Sequence, residues 1–360
     1  MFLSSKTPLV AFDVGSHSIK LAQLTPLSRN RFELTNFGIM PLREDCIVDG
    51  VVKKHDEVVE ALMDLVKAEK IKTDYAVASV AGEAVIIKKI KVPQMSHEEL
   101  EDSIAEEAEQ YIPFDIDDVS IDFQILGPSA GSADREDSGD GPTMDILLVA
   151  VQREMIYNRT DVLIDAGLKP VIVDLDVFAM VNAISLSHDL TEMGAVALID
   201  LGESFTHVNI LLDGVTAYTR DIPVGGGYCS RKIMSAFDVT YSQVADLKGG
   251  KIPPEIDSDK VIEVITGAFE KPLDEIQKCF EFFSTTSNME VEKILLSGGG
   301  AMIQGVDGFF ADQLKVPVEL VDPLKGVKIN TRNFDKATVA EMAPLCTVAI
   351  GLATRRFDYQ

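Results

Sequence analysis

The sequence predicts an α/β fold whose pattern repeats in two halves, and three observations carry that prediction. A strand, a small-residue turn and a second strand at 9–24 reappear at 195–212. Asp13-Val14-Gly15 closes the first strand of one half, as Asp200-Leu201-Gly202 does in the other. Between them, apolar runs of strand length alternate with segments whose apolar residues recur at helical spacing. At 360 residues, 46% hydrophobic and 25% charged, the chain has globular usage that excludes disorder, collagen-like sequence and coiled coil. About 150 residues per domain implies two or three domains.

Element by element, Leu9–Val14 and Ile19–Leu24 read as a hairpin with the polar tip Gly15-Ser16-His17-Ser18. Strands follow at Phe32–Met40, Ala76–Val80 and Val85–Val92, and a helix between them buries Val58, Val59, Leu62, Leu65 and Val66 on one face. Ser96-His97-Glu98-Glu99 is a capping box that starts a helix stopped by Pro113. Glu98 to Asp122 holds eleven acidic residues and no Lys or Arg, which reads as a solvated face. Residues 129–143 contain almost nothing to bury and are expected to form a mobile surface loop. The strand Met144–Val151, a helix around Met155–Ala166, a stop at Gly167 and the strand Pro170–Asp174 come next. In the second half, Ala195–Asp200 reads as a buried strand, and Asp213-Gly214 turns Phe205–Leu212 into Val215–Ile222. Helices are expected at Tyr228–Phe237, Asp259–Asn288 and Gly308–Leu314, with a strand at Lys293–Leu296.

Charge and cysteine usage narrow the function. A formal charge of −25 disfavours nucleic acid and anionic lipid as direct partners. No run approaches the roughly 18–20 apolar residues of a membrane span, and Met1–Val10 lacks a signal-peptide pattern, so a cytoplasmic chain is expected. Cys46, Cys229, Cys279 and Cys346 lie far apart with no CxxC, which argues for buried thiols over zinc or disulfides.

The paired Asp-x-Gly turns carry the chemistry. Glycine admits close backbone approach, turn N–H groups and hydroxyls cradle phosphate oxygens, and an aspartate holds hydrated Mg²⁺. Ser297-Gly298-Gly299-Gly300-Ala301 follows a strand and lets bare backbone approach a nucleoside, and Pro223-Val224-Gly225-Gly226-Gly227 is a second strand-to-helix turn. Neither run fits GxGxxG, no GxxxxGK[ST] occurs, Gly202-Glu203-Ser204-Phe205-Thr206 lacks the last glycine of GxSxG, and there is no HExxH.

This ordered set, with Ala349-Ile350-Gly351-Leu352-Ala353 near the end, resembles the actin, Hsp70 and sugar-kinase superfamily. More narrowly, FDVGSHSIKLAQL, EQYIPFDIDDVSIDFQIL, DILLVAVQREMI, AGLKPVIVDLDVFAMVNA, TRDIPVGGG and KILLSGGGA resemble the PilM family of actin-like type IV pilus assembly proteins, relatives of FtsA. The resemblance implies a two-lobed actin-like ATPase fold: a first lobe at 1–92, an inserted α+β subdomain at 93–170, a return at 171–194, a second lobe at 195–344 and a C-terminal helix at 345–360. It implies ATP and Mg²⁺ as ligands, with Asp13, Gly15, Ser16, His17, Ser18 and Lys20 in the first phosphate loop. Asp200, Gly202, Glu203, Ser204 and Thr206 fall in the second loop, and Gly225, Gly226, Lys248, Gly298, Gly299, Gly300 and Met302 on the nucleoside side. The metal would be held through water by Asp13 and Asp200, while His207 and Glu203 would position the water for any hydrolysis. Two departures stand out: the family's Ala-Glu-x-x-Lys reads Val244-Ala245-Asp246-Leu247-Lys248, which implies ribose and adenine contacts that are weaker or redistributed to Asp246, and 174–179 offers no glutamine for water.

The expected function is therefore a non-enzymatic ATP-binding scaffold, at most a weak ATPase, lying at the inner membrane through its partner. That partner is the short cytoplasmic N-terminal peptide of PilN, docking in a groove between the first lobe and the inserted subdomain, lined by Val85, Ile87, Tyr111, Pro113, Phe114, Ile121 and Phe123. Other pilus proteins and weak self-association complete the expected partners. The alternatives are a small-molecule phosphotransferase of the same superfold and an FtsA-like filament protein.

Overall fold

A computed structural model describes residues 7–28, 31–129, 142–330 and 334–356. Apart from its ends, the stretch expected to be a mobile loop, 129–143, lies outside the described residues. The chain divides into a main unit, up to Gly82 and from Arg159 onward, and a small unit, Glu83–Asn158.

In the main unit, β1 (Val10–Val14), β2 (Ser18–Ser28) and β3 (Arg31–Pro41) form an antiparallel meander. On the other side of β1, β6 (Tyr75–Val80) and β10 (Lys169–Leu175) add in parallel, while β16 (Lys328–Ile329) extends β3. β4 (Ile47–Val48) and β5 (Val51–Val52) form a separate two-residue ladder. The second sheet repeats the plan. β11 (Ala195–Leu201), β12 (Thr206–Leu212) and β13 (Val215–Ile222) form the meander, and β14 (Lys293–Ser297) and β15 (Val318–Leu320) add in parallel beside β11. Counted from its own first strand, each half reads third, second, first, fourth, fifth, which is the duplication the Asp-x-Gly pairs predict. At the β12–β13 turn, Asp213 and Gly214 both have positive φ, as a two-residue hairpin connection requires.

Period-two alternation assigns each sheet two apolar faces. Val10, Phe12, Ala76 and Ala78 pack with α1 (His55–Ala68) and the Val162–Leu163 turn of α3 (Arg153–Asp165), while Ala11, Ala22 and Val77 face inward. Ala197 and Ile199 pack outward on α5 (Gly226–Phe237), α6 (Tyr241–Lys248), α7 (Ser258–Ser287) and α8 (Val306–Leu314). Val196 and Leu198 face inward. The inward faces share one core with α4 (Asp176–Ile184), α9 (Lys336–Met342) and α10 (Thr347–Leu352). Helix α10 crosses α4 so closely that a β-carbon at Gly351 would lie 1.8 Å from the Ala179 carbonyl oxygen. Helix α6 was not among the expected elements, because only Val244 and Leu247 of its eight residues are buried.

The small unit is a three-stranded antiparallel sheet, β7 (Val85–Pro93), β9 (Thr143–Gln152) and β8 (Val119–Pro128) in that order, covered on one face by α2 (His97–Glu109). Ser96 and Glu99 exchange both hydrogen bonds of the expected capping box. The unit is offset from the expected 93–170. Val85–Pro93 pairs along its whole length with β9, and Val162, Leu163 and Leu168 belong to the first-sheet core.

Candidate functional site

The β1–β2 and β11–β12 hairpins point their tips into one cleft of about 410 Å³ in the main unit. Register sets opposite charges face to face in the first hairpin. Asp13 pairs across the ladder with Lys20, whose Nζ lies 3.1 Å from the Asp13 carboxylate. Burial opposes the lysine's charge, yet the Asp13 carboxylate raises its pKa. A β-carbon at Gly15 would stand 3.1 Å from that ammonium, so glycine spares Lys20 a tight contact there. In the second hairpin the same step pairs Asp200 with His207. Asp200 accepts from Ser297 Oγ at 2.7 Å, and burial raises its pKa. The two tips meet directly, Ser204 Oγ donating to Ser16 Oγ at 2.9 Å.

Behind the tips, His207 sits among charged residues to which the sequence analysis assigned no role. His207 Nδ1 is 2.6 Å from Asp221 Oδ1, and its Nε2 is 3.7 Å from Asp176 Oδ2. Burial works against a charged imidazole here, but Asp221, then Asp176 and Asp200, outweigh it and push the pKa up to about 10. Burial pushes Asp176 up to about 6, with Asp13 adding to it, against the pull of His207, Ser79 and Arg159. Arg159, buried and facing the same cleft, donates from Nη1 to the Val14 carbonyl at 2.6 Å.

On the side expected from sequence to take the nucleoside, Lys248 Nζ donates to the Gly226 carbonyl at 3.0 Å and to Ser230 Oγ at 2.7 Å, and burial lowers its pKa. Tyr241 Oη lies 3.0 Å from His17 Nδ1, a second bridge across the cleft mouth. Gly298 has φ +89°, and a β-carbon there would sit 2.6 Å from the Leu201 carbonyl, which is why this loop begins with glycine. Ala245 lines the cleft, whereas the Asp246 side chain is exposed and lies 3.7 Å from Lys251. The expected transfer of ribose contacts to Asp246 is thus not what the geometry offers. Glu203 is the carboxylate in this part of the cleft, and Gly227 leaves room for it: a β-carbon there would be 2.5 Å from its Oε1.

Of the residues singled out from sequence, Asp13, Gly15, Ser16, His17, Ser18, Lys20, Asp200, Gly202, Glu203, Ser204, His207, Gly226, Lys248, Gly298, Gly299, Gly300 and Met302 all line the cleft. Thr206 and Gly225 stand behind its wall. The Thr206 hydroxyl donates to the Val224 carbonyl in a fully buried position, and Gly225 is pressed on the Gly202 carbonyl. Asp176, Arg159, Ser79 and Tyr241 also line the cleft, and Asp221 stands behind His207. The one available signal was the placement of Asp176 at a strand-to-helix turn.

The residues fit a nucleotide: glycine-lined loops would lie against its phosphates with Lys20 as a cation, and Glu203, Tyr241 and Lys248 would border its nucleoside. Among the described residues no group of three His, Cys, Asp or Glu is arranged to hold a metal on its own. Mg²⁺ would accordingly be held by phosphate and water oxygens, with Asp13 and Asp200 behind the water.

The residues expected to line a peptide groove all fall in the small unit, but not on one face. Register sets Ile87 opposite Val149 and Phe123 opposite Leu148. Val85 and Ile87 therefore share one sheet face with Val149, and Ile121 and Phe123 share the other with Leu148, Tyr111 and Phe114. The single groove expected from sequence is divided by the sheet itself.

Four similarities bear on identity. The chain is 23% identical over 198 residues to the cell division protein FtsA of Borreliella burgdorferi, a match covering 49% of this chain and 46% of that relative, about half its length. Its fold matches a solved PilM-PilN type IV pilus biogenesis complex with TM-score 0.83 and 23% identity over 97% of this chain and 98% of that one. It also matches MreB5 of Spiroplasma citri bound to ADP, with TM-score 0.52 and 14% identity over 96% and 94%. At these identities the structural likenesses establish an actin-like fold. The description of the type IV pilus assembly protein PilM matches residues 11–357, and the chain belongs to that family.

Proposed function

We propose that the chain is a nucleotide-binding scaffold of type IV pilus assembly, holding ATP with Mg²⁺ in the main-unit cleft and the short cytoplasmic N-terminal peptide of a PilN partner on the small unit. The observation that carries the nucleotide half is the pair of matched hairpins joined tip to tip by Ser16 and Ser204, each with an aspartate facing a cation across its ladder. Bound MgATP supplies a dense negative charge that both hairpins contact. Gly15, Ser16, Ser18 and Lys20 hold its phosphates from one side and Gly202 and Ser204 from the other, while Lys248 and Gly298–Gly300 border the nucleoside. A ligand gripped from both halves stabilises the arrangement that grips it.

The same geometry favours holding over turnover. His207, the residue expected to position water, is caged as a cation by Asp221 and Asp176, and a protonated imidazole accepts no proton. The family match and the likeness to a PilM-PilN complex support a PilN peptide as partner. The α2 side of the small sheet, with half-buried Tyr111, Phe114, Ile121 and Phe123 beside the edge strand β8, suits an extended peptide. No helix among the described residues is long and apolar enough to cross a membrane. Inner-membrane association through that partner belongs to the same reading.

The test begins with protein denatured directly after purification and its supernatant chromatographed for nucleotide. Intact ATP is expected, or its stoichiometric binding once MgATP is added. Asp13→Ala with Asp200→Ala is expected to abolish binding. Undiminished binding by that variant would refute this placement of the phosphates.

A further inference from the structure

The main unit is interrupted once, leaving at Gly82 and resuming at Arg159. Both residues are tied to the nucleotide hairpins. The Gly82 amide donates to Asp221 Oδ2 at 2.5 Å, and the other oxygen of that carboxylate holds His207 at 2.6 Å. Gly82 has φ +104°, and a β-carbon there would lie 3.7 Å from the ring of Phe205, at the tip of the same hairpin. At the returning end, Arg159 is 6% exposed, its Nη1 holding the carbonyl of Val14, next in sequence to Asp13, and its Nη2 lying 3.4 Å from the Gly50 carbonyl. Its Nε is buried and finds no hydrogen-bond partner among the described residues. A buried charged side chain costs several kcal/mol to desolvate, and Arg159, which resumes the main unit, directs its guanidinium at backbone carbonyls beside the first hairpin, while Asp221 holds the amide of Gly82 at the other crossing.

We propose that Asp221 and Arg159 are positioning residues that couple occupancy of the cleft to both crossings into the small unit, Asp221 through the second hairpin and Arg159 through the first. A ligand that fixes the hairpin tips then also fixes the Gly82 amide and the Arg159 turn of α3. By reciprocity, whatever steadies the small unit at its crossings tightens the cleft by the same factor. The inference rests on the cleft being a nucleotide site.

Hydrogen–deuterium exchange of the full chain with and without MgATP tests it, with MgATP affinity measured in parallel by calorimetry. In the unmodified protein MgATP is expected to slow exchange at 81–86 and 156–161 by about fivefold or more, the lower end of ordinary coupling factors. Asp221→Ala should remove that ratio at 81–86 and Arg159→Met at 156–161, while Arg159→Lys, which keeps one donor for Val14, should retain part of it. A merely structural role would speed exchange equally with and without MgATP and leave the ratio intact, which would overturn the coupling alone. Absence of MgATP binding to the unmodified protein would overturn the nucleotide reading and the coupling together. If Asp221→Ala fails to fold, Asp221→Asn, isosteric but uncharged toward His207, serves instead, and an unchanged ratio in it is equally fatal.

Discussion

His207 is a buried imidazole that keeps its proton because two carboxylates flank it. Its folded pKa, pushed up from 6.5 to about 10, stabilises the fold fully below the unfolded value, and that contribution is lost as pH rises toward 10. Asp176, raised from 3.8 to about 6, acts with the same sign in a lower window, its contribution fading between those values. Urea midpoints measured from pH 6.5 to 10 should therefore fall with pH. His207→Gln should flatten that slope, and an unaltered slope would show that the imidazole is not held charged. The cage as a whole could not be read from the sequence. Asp221 lies 14 residues from His207 and Asp176 lies 31 away, and only the β12–β13 register and the β10-to-α4 turn bring them together.

At the scale of elements, α10 crosses α4 with no room for a side chain at Gly351. Gly351→Ala would drive a methyl group into the Ala179 carbonyl, and helix separation is the only relief. Over-packing of this kind costs about 1–3 kcal/mol, sometimes more, so the substitution should lower the chemical-denaturation midpoint clearly while an exposed alanine substitution does not. Strands were legible wherever apolar alternation and turn residues agreed, as in both hairpins and the Asp213-Gly214 turn. The α2 cap was legible because Ser96 and Glu99 are a local pair. Strand β7 was placed correctly but given to the wrong unit, since its sheet partner β9 lies beyond α2 and β8 in sequence and pairing carries no local mark. Face assignment failed for the peptide groove for a related reason. Which side of a sheet a residue occupies depends on the neighbour it faces, and β7 and β8 are opposite edges joined only through β9.

For the whole molecule, each unit carries one proposed binding event, and their tests separate cleanly. A labelled peptide with the PilN N-terminal sequence should bind the full chain, and Phe123→Asp should weaken it at least tenfold, as read by fluorescence anisotropy, because a half-buried aromatic anchor is replaced by a charge that must stay hydrated. MgATP binding to that variant should be undiminished at the level of the cleft residues themselves. Equal peptide affinity in the variant would move the peptide to the other sheet face, where Val85 and Ile87 lie. Most of the cleft was legible because its lining comes from short contiguous turns. Asp176, Asp221 and Arg159 were not, because they are contributed one at a time from a helix start, a strand end and a buried helix face.

The common strand order of the two sheets has a consequence for the direction in which a ligand lies. Two copies of one hairpin facing each other would present the same groups to either end of an anion, which would then bind equally well in both senses. The step from aspartate to its facing cation is the same in both, yet one ends in a lysine amine and the other in a caged imidazole. That divergence, with Lys248 and the Gly298–Gly300 loop lining the cleft from the second half alone, gives the cleft a head and a tail for a molecule with unlike ends.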